Sequence, residues 1–478
     1  MNVKTGAILA MSTEPDFDPN DPFTIYDEDI AAAIEQITDE TEKNNAISQA
    51  RQSQWRNKAV SDLYEPGSVF KIITASSSLD SGAATLGSSF YCKGYVSVGG
   101  WNIKCNQTSG HGPLTFSQAL IESCNPSFID LGQRMGIETF VDYFESFGLA
   151  ERTGIDLPGE QKSIVYNAEN MTETSLASNS FGQTFKVTPI QMITAVATAV
   201  NGGQLVQPHV VSKLVDDSGN VVEDLTPDTK RQVISEEVSA KICKILQENG
   251  TSGNAQHSYV AGYRVGGKSG TSQKLDTEMD DDYIASYVGV APCDDPEIAV
   301  LIFFDEPRTT SYYGGTLAGP VVGELMGEIL PYLGIEPVYS DAEKANVSVF
   351  VPSVKGNELT AARVALQRAG FAVKVVGNGN SVVAQFPDNT TKIKKGGIVV
   401  LYTDSETESM MVAMPNIINQ TPSQAENALN GLGLNVNFTG VSQNNAAAVV
   451  SAQSIAAGDK IPMGTTVEVT LAATGAFE

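Results

Sequence analysis

A serine and a lysine three residues apart are the first candidates for chemistry in this sequence. In the stretch YEPGSVFKII, Pro66-Gly67 interrupts the chain and apolar residues continue to Ile73, which predicts a helix that begins at Ser68. Ser68 and Lys71 would share one face of that helix. A serine hydroxyl is a weak nucleophile until a base takes its proton, and a lysine buried beside another cation can serve as that base. The pair therefore indicates nucleophilic catalysis by Ser68.

Two further motifs follow along the chain. Ser123-Cys124-Asn125 stands in a turn between predicted helices at residues 116–122 and 127–135, and Lys268-Ser269-Gly270-Thr271 stands in a predicted strand. An isolated S-x-x-K motif often occurs by chance. The three motifs in this order, however, resemble those of penicillin-binding proteins and class A β-lactamases, with Cys124 in place of an aspartate and Ser269 in place of a threonine.

Longer stretches extend this resemblance over residues 1–334. The opening TGAILAMSTEPDFDPN, the segment SFGQTFKVTPIQM from Ser180 to Met192, and Tyr313-Gly314-Gly315 are similar to class B penicillin-binding proteins. The resemblance implies a transpeptidase domain of the penicillin-binding and serine β-lactamase-like fold. Members of that family also carry an N-terminal membrane anchor and a pedestal domain. Neither is recognisable in this sequence, so we expect that an upstream part is missing.

The resemblance implies a role for each residue of the three motifs. Ser68 would attack the carbonyl carbon of the penultimate D-Ala of a peptidoglycan stem peptide, and Lys71 would accept its proton. Ser123 would pass a proton to the leaving amine. Asn125 would orient Lys71 and the substrate amide, and Lys268 would hold Ser123 and add positive potential. β-Lactams would acylate the same serine.

The third motif would supply most of the substrate-binding contacts. Backbone N–H groups of Ser68 and Thr271 would form the oxyanion hole, and Gly270 would line the site beside them. The hydroxyl groups of Ser269 and Thr271 would bind the terminal carboxylate of the donor peptide. No cofactor is expected for this chemistry.

The elements that must position these motifs indicate an α+β fold. Strands are predicted at residues 263–267, 284–290 and 298–304, with short connections that favour an antiparallel sheet. A further strand is predicted at residues 7–11 and a helix at residues 31–52. Because the strands follow one another without regular βαβ alternation, separate helices should pack on an antiparallel sheet.

The tail contains an internal repeat. Val351-Pro352 recurs as Met414-Pro415, and Gln385 recurs as Gln453 at the corresponding point of the second copy. Each copy predicts one amphipathic helix followed by strands. The repeat resembles the PASTA domain of extracytoplasmic bacterial proteins, with modules at residues 345–404 and 411–473 and an acidic linker at 404–410. Such modules would bind wall fragments or partner proteins, or would serve as spacers without a ligand.

Composition excludes several classes of function. The net charge of −26 lies almost wholly in the first 344 residues and provides no basic footprint for nucleic acid. No apolar run is long enough for a membrane span. The family resemblance, and not the composition, implies a place at the extracytoplasmic face of the membrane of a bacterium. The PASTA copies favour a Gram-positive organism and a role in cell division.

The cysteines leave three redox states open. Cys92, Cys105, Cys124, Cys243 and Cys293 form no C-x-x-C pair and have no histidine at ligand spacing, so no metal site is expected. His111, between two glycines, is expected to have a role in loop structure. In an oxidising compartment a bridge could join Cys92 to Cys105, or Cys105 to Cys124, or all thiols could stay free. Only the second bridge would act on the loop that carries Ser123 and Asn125.

Two other functions are compatible with parts of the sequence. A serine β-lactamase would share the acylation step but would need an activated water for fast deacylation, and the wall-type tail argues against it. A non-catalytic cell-wall sensor would use the same fold only for binding. The intact Ser68, Lys71, Ser123 and Lys268 argue against this second alternative.

Overall fold

The structure, a computed structural model, describes residues 1–252, 256–274, 282–309, 311–340, 343, 348–404, 411–441, 443 and 447–473. Within these ranges, no helix combines the length and hydrophobicity that a membrane crossing requires. The helices are α1 Glu28–Glu35, α2 Glu40–Trp55, α3 Lys58–Ser61, α4 Lys71–Asp80, α5 Phe116–Ile121, α6 Asn125–Ser146, α7 Glu173–Asn179, α8 Pro189–Val200, α9 Glu236–Ser252, α10 Gly314–Tyr332, α11 Leu359–Arg368 and α12 Pro422–Gly431. Short 3₁₀ turns lie at Gly67–Phe70 and Gln256–Ser258.

The strands fall into small sheets. They are β1 Ser89–Cys92, β2 Tyr95–Val98, β3 Trp101–Lys104, β4 Gly112–Thr115, β5 Gln204–Leu205, β6 Lys213–Val215, β7 Val221–Asp224, β8 Arg231–Gln232, β9 Gly266–Gln273, β10 Tyr283–Ala291, β11 Ile298–Asp305, β12 Ser348–Phe350, β13 Ala372–Val376, β14 Ala384–Phe386, β15 Lys392–Lys394, β16 Ile398–Tyr402, β17 Met411–Ala413, β18 Asn435–Gly440, β19 Ala448–Gln453, β20 Lys460–Pro462 and β21 Thr466–Ala473.

Strands β9, β10 and β11 form an antiparallel sheet in the order β11-β10-β9. Strand β10 is almost wholly buried because it is the central strand and α10 packs against it. The expected α+β fold with an antiparallel sheet is confirmed. The predicted strand at 263–267 was wrong in its start, since β9 begins only at Gly266 and then runs through the whole Lys268–Thr271 motif.

A helical layer packs beside this sheet and holds the reactive segment. Helix α4 is buried from Lys71 to Ser78, which is unusual for a helix with so many hydroxyl side chains. The hydroxyl groups of Ser76 and Ser77 bond to backbone carbonyls one turn earlier, which satisfies them inside the core. Phe70, immediately before the helix, packs edge-on against Phe185 at a centroid distance of 4.8 Å. The start of α4 is therefore fixed by apolar packing.

Two predictions near the N-terminus were wrong. The helix predicted at residues 31–52 is divided into α1 and α2, because the Asp39 side chain accepts hydrogen bonds from the backbone N–H groups of Thr41 and Glu42 and caps a new helix. The strand predicted at residues 7–11 is reduced to a single bridge between Ala7 and His209.

The tail repeat is visible as two modules with the same topology. Each places one helix beside a three-stranded sheet, β13-β16-β14 in the first and β18-β21-β19 in the second, and each sheet has one parallel pair. The repeated glutamines make equivalent hydrogen bonds in the two modules. Gln385 accepts a hydrogen bond from the Val354 N–H at 2.7 Å, and Gln453 accepts one from Ile417 at 3.0 Å. Most of the predicted linker, residues 405–410, lies outside the described residues.

Candidate active site

Ser68 lies in a tight turn that precedes the helix. The 3₁₀ turn spans Gly67–Phe70 and α4 begins at Lys71, so the helix starts three residues later than predicted. Gly67 adopts a φ of +54° and donates its N–H to the Gly182 carbonyl at 2.9 Å. Ser68 is half-buried, whereas its neighbours Gly67 and Val69 are buried. The turn therefore presents Ser68 at the edge of an otherwise closed segment.

Lys71 is the centre of a buried hydrogen-bond cluster. Its Nζ donates to the Ser123 carbonyl at 2.6 Å, to Ser123 Oγ at 3.0 Å and to Asn125 Oδ1 at 2.6 Å. The ring of Phe128 lies 5.5 Å from the same nitrogen. Because Asn125 also donates to the Lys104 carbonyl at 3.2 Å, its amide is fixed with the oxygen toward Lys71. The side chain of Lys71 is thus held in one orientation.

The hydroxyl oxygen of Ser123 accepts hydrogen bonds from two lysines. Lys268 Nζ also donates to Ser123 Oγ, at 3.0 Å, and all three residues are buried. A hydroxyl oxygen can accept two hydrogen bonds, so the O–H of Ser123 is directed away from both ammonium groups and can donate to a further partner. Ser123 has a φ of +54°, which is unusual for a residue with a side chain. Such strain is typical of functional positions.

Strand β9 brings the third motif against the Ser68 turn. The Ser272 hydroxyl donates to the Glu65 carbonyl at 2.6 Å and ties the strand to the segment before the turn. The Gly314 N–H, at the start of α10, donates to Thr271 Oγ1 at 3.1 Å. Ser269 and Thr271 are two residues apart on the same strand and so point to the same face. Ser269 is buried, and Thr271 is partly exposed.

The structure unites residues that are distant in sequence. Lys71, Ser123, Asn125 and Lys268 form one hydrogen-bonded group, and Ser68 stands one turn before Lys71. Sequence reasoning assigned no role to Gly182, although the segment that contains it carried part of the family resemblance. A Cβ at Gly182 would collide with the carbonyl oxygen of Gly67. The need for glycine here is a packing requirement of the Ser68 turn.

Three of the predicted redox cysteines lie beside this group. Cys105 Sγ and Cys124 Sγ are 4.0 Å apart, and Cys92 lies in the same cluster with all thiols free. The hydrogen bond from the Cys105 thiol lowers the pKa of Cys124 to about 5 and raises that of Cys105. Sequence spacing did not predict that His111 would join them, with its Nδ1 3.6 Å from Cys105 Sγ. The Cys92–Cys105 and Cys105–Cys124 bridges both stay predictions.

Comparisons with known proteins identify the family of this chain. The family model "Penicillin binding protein transpeptidase domain" matches residues 1–327, and the PASTA domain model matches residues 349–405 and 412–473. Stage V sporulation protein D of Bacillus subtilis is 37% identical over 417 residues, which are 85% of this chain and 60% of that protein. Peptidoglycan D,D-transpeptidase FtsI of Escherichia coli is 27% identical over 340 residues, 70% of this chain and 51% of that protein.

Solved structures are similar as well. Penicillin binding protein 3 of Mycobacterium tuberculosis, complexed with aztreonam, has a TM-score of 0.60 and 26% identity, and the match covers 71% of this chain and 73% of that chain. The present chain spans about half to three fifths of the length of the two curated relatives described above.

Proposed function

This chain belongs to the family of penicillin-binding protein transpeptidases with PASTA domains, and we propose that it cross-links peptidoglycan stem peptides as a serine D,D-transpeptidase. The donor would be a peptide that ends in D-Ala-D-Ala, and the acyl-enzyme would form on Ser68. One observation carries the proposal: Lys71 and Lys268 share the hydroxyl of Ser123 directly beside the Ser68 turn.

Acylation would use Lys71 and Ser123 in turn. Lys71, in its neutral form, takes the Ser68 proton as Oγ attacks the carbonyl carbon of the penultimate D-Ala. The tetrahedral oxyanion accepts hydrogen bonds from the N–H groups of Ser68 and Thr271. The C–N bond then breaks, and Ser123 donates its outward-directed proton to the leaving D-Ala amine. Lys71 replaces that proton through its hydrogen bond to Ser123 Oγ.

The second half reaction uses the same groups in reverse. The amine of a second stem peptide attacks the acyl-enzyme, loses a proton toward Ser123, and Lys71 returns a proton to Ser68 as the ester breaks. A β-lactam enters the first step through its ring amide. Because its leaving amine stays tethered to the acyl group, it remains in the site and obstructs the acceptor.

The donor carboxylate requires positive potential in a strongly acidic protein. Lys268 supplies it, since its Nζ donates to Ser123 Oγ at 3.0 Å and to the backbone carbonyl of Ser269 at 3.2 Å. The hydroxyl of Ser269 would bind the carboxylate together with that of Thr271. Charge-assisted hydrogen bonds of this kind are the stronger ones in proteins. The net charge of the whole chain, −26, would not by itself attract an anionic peptide.

We place this activity at the extracytoplasmic face of the membrane of a Gram-positive bacterium, in cell-wall synthesis that serves division or sporulation. The PASTA modules and the Bacillus relative named for sporulation support this placement. In the tail, wall fragments or partner proteins would bind to the modules.

The nucleophile is tested by labelling with a fluorescent penicillin and mapping of the labelled peptide. Ser68→Ala should abolish covalent labelling, and Lys71→Ala should slow it by about 10²-fold or more because the general base is lost. Ser81→Ala, at the far end of α4, is the matched control and should label normally. Full labelling of Ser68→Ala would refute the assignment of the nucleophile.

The lifetime of the adduct distinguishes the two alternative functions. A transpeptidase should hold the penicilloyl group for long periods, whereas a serine β-lactamase would release it quickly and turn over. A non-catalytic wall sensor would form no adduct at all.

A further inference from the structure

A second cluster of reactive side chains lies beside the active site and has no part in the proposed reaction. Its members are Cys92, Cys105, Cys124 and His111. Their ligand atoms all lie within 4.8 Å of one another. The three cysteines are buried and His111 is half-buried. Of the described residues, these four converge although they come from four separate points of the chain.

The separations match a tetrahedral metal site. Zinc binds thiolate sulfur at about 2.3 Å and imidazole nitrogen at about 2.0–2.1 Å, so the edges of the tetrahedron are about 3.8 Å between sulfurs and about 3.5 Å between sulfur and nitrogen. Cys105 Sγ lies 4.0 Å from Cys124 Sγ and 3.6 Å from His111 Nδ1. With the largest separation at 4.8 Å, closure needs movements of about 1 Å.

The backbone around the cluster is built to hold its members. Cys92 ends β1 and pairs with Gly112 at the start of β4. His111 immediately precedes Gly112 in the chain, so this pairing brings it next to Cys92. Gly94 accepts the Cys105 N–H at 2.9 Å and donates its own N–H to Cys92 Sγ at 3.4 Å. A Cβ on Gly94 would collide with the Thr108 carbonyl. The two chain segments therefore approach too closely for any residue other than glycine.

Hydrogen bonds to the sulfurs also suit thiolates. The Ser127 hydroxyl donates to Cys124 Sγ at 3.1 Å, and the Gly94 N–H donates to Cys92 Sγ, so two sulfurs have donors that would stabilise negative charge. Cys105 differs, since its one thiol proton has two alternative acceptors, Asn106 Oδ1 at 2.9 Å and Cys124 Sγ at 4.0 Å. When Cys105 gives up its proton, the Asn106 amide must turn away from the sulfur.

We infer that Cys92, Cys105, Cys124 and Nδ1 of His111 form a closed structural Zn²⁺ site. Three thiolates and one imidazole in a tetrahedron are one of the usual ligand sets of structural zinc sites, and four protein ligands leave no open position for catalysis. Binding of the ion displaces the three thiol protons to solvent. Nothing in the chain is oxidised or reduced in this step.

The site clamps the loop that carries the second active-site motif. Cys124 stands between Ser123 and Asn125 and is the N-cap residue of α6. A zinc ion would tie this residue to the end of β1 and to the β3–β4 connection. Because Cys105 and Cys124 are both ligands, the metal and a Cys105–Cys124 disulfide exclude one another.

The test is metal titration of the reduced, metal-free full chain with Co²⁺ and then Zn²⁺. Co²⁺ should bind in one equivalent with the absorption of tetrahedral thiolate coordination, and Zn²⁺ should displace it. Cys92→Ser and His111→Ala should each weaken binding by roughly 100-fold or more, since loss of a ligand exceeds the effect of losing its hydrogen-bond partner. Cys243→Ser, a buried thiol outside the cluster, should bind Co²⁺ like the wild type. Thermal unfolding of each variant shows that it is folded.

Two results would overturn the inference. One is the absence of a tetrahedral Co²⁺ spectrum in the reduced wild type. The other is undiminished binding by both Cys92→Ser and His111→Ala. Cys92→Ser is informative because it removes a ligand but keeps the Cys105–Cys124 pair, so a cluster that serves only for disulfide formation would be unaffected. None of these readouts depends on transpeptidase or acylation activity.

Discussion

Replacement of Gly182 by alanine tests how tightly the Ser68 turn is held. Gly182 has a φ of +95° and accepts the Gly67 N–H at 2.9 Å. An alanine Cβ would lie 2.6 Å from the Gly67 carbonyl carbon, whereas ordinary contact begins at 3.4 Å. Because the Gly67 carbonyl oxygen lies closer still, the turn that carries Ser68 must shift by more than about 0.8 Å, and a 1 Å misplacement can cost about 10²-fold in rate.

A matched control separates the cost of the left-handed backbone from the effect of displacing the Ser68 turn. Gly159 has a φ of +84° and is exposed, with nothing within 4 Å of an added Cβ. Alanine in the left-handed region costs about 1–2 kcal/mol at either position. Gly182→Ala should lose about 1 kcal/mol more through its broken hydrogen bond to Gly67. We therefore expect a slightly larger loss of stability than for Gly159→Ala but a far larger loss of activity.

The assay is the second-order rate constant for acylation by a fluorescent penicillin, with thermal unfolding measured on the same samples. Gly182→Ala should acylate roughly 100-fold more slowly than wild type, and Gly159→Ala should acylate at the wild-type rate. An acylation rate of Gly182→Ala close to that of wild type would show that the turn adapts and would refute the argument from packing.

Three further predictions concern other parts of the chain. Metal-free protein oxidised to a Cys105–Cys124 bridge should be acylated more slowly, and a reductant should restore the rate. The acylation rate of Cys124→Ser should change with neither treatment. Equal acylation rates in oxidised and reduced wild type, with the bridge confirmed by peptide mapping, would leave only a structural cystine. Asn435→Ala should destabilise the tail by about 2–3 kcal/mol in denaturant unfolding, because two part-buried hydrogen bonds to Ile398 across the modules and a buried one to the Gly464 carbonyl are lost. Asn437→Ala should have little effect. Burial opposes ionisation of Glu343, but hydrogen bonds from Ser340, Gly262 and Tyr259 outweigh it and lower its pKa to about 2; its contribution to stability should be present above about pH 4.5, the ordinary range of a glutamate, and be lost as the pH falls toward 2. Glu343→Gln should therefore lower the unfolding temperature at pH 7 and reduce this acid dependence, and an unchanged pH profile would contradict the assignment.

The sequence predicted the family, the α+β class and the repeated tail because those signals are local. A serine-lysine pair at helical spacing, a strand that carries K-S-G-T and a helix-strand pattern that recurs are all legible within short windows. Errors arose where a local pattern had a competitor. Helix α1 ends at Glu35 and Asp39 caps a second helix where a continuous one was predicted. The stretch at 7–11 pairs only at Ala7 and leaves Leu9 half exposed.

Tertiary structure alone decided the geometry of the site. Lys71, Ser123 and Lys268 meet because α4 packs against α6 and the 3₁₀ turn packs against β9, and no periodicity in the sequence records those long-range contacts. The same holds for Gly182, whose glycine is required by its φ of +95° and by the carbonyl of Gly67. It holds also for His111, which joins three cysteines through the pairing of β1 with β4. A sequence states which groups are present, whereas the packing of distant segments in the core fixes the ångström-scale distances on which proton transfer and metal coordination depend.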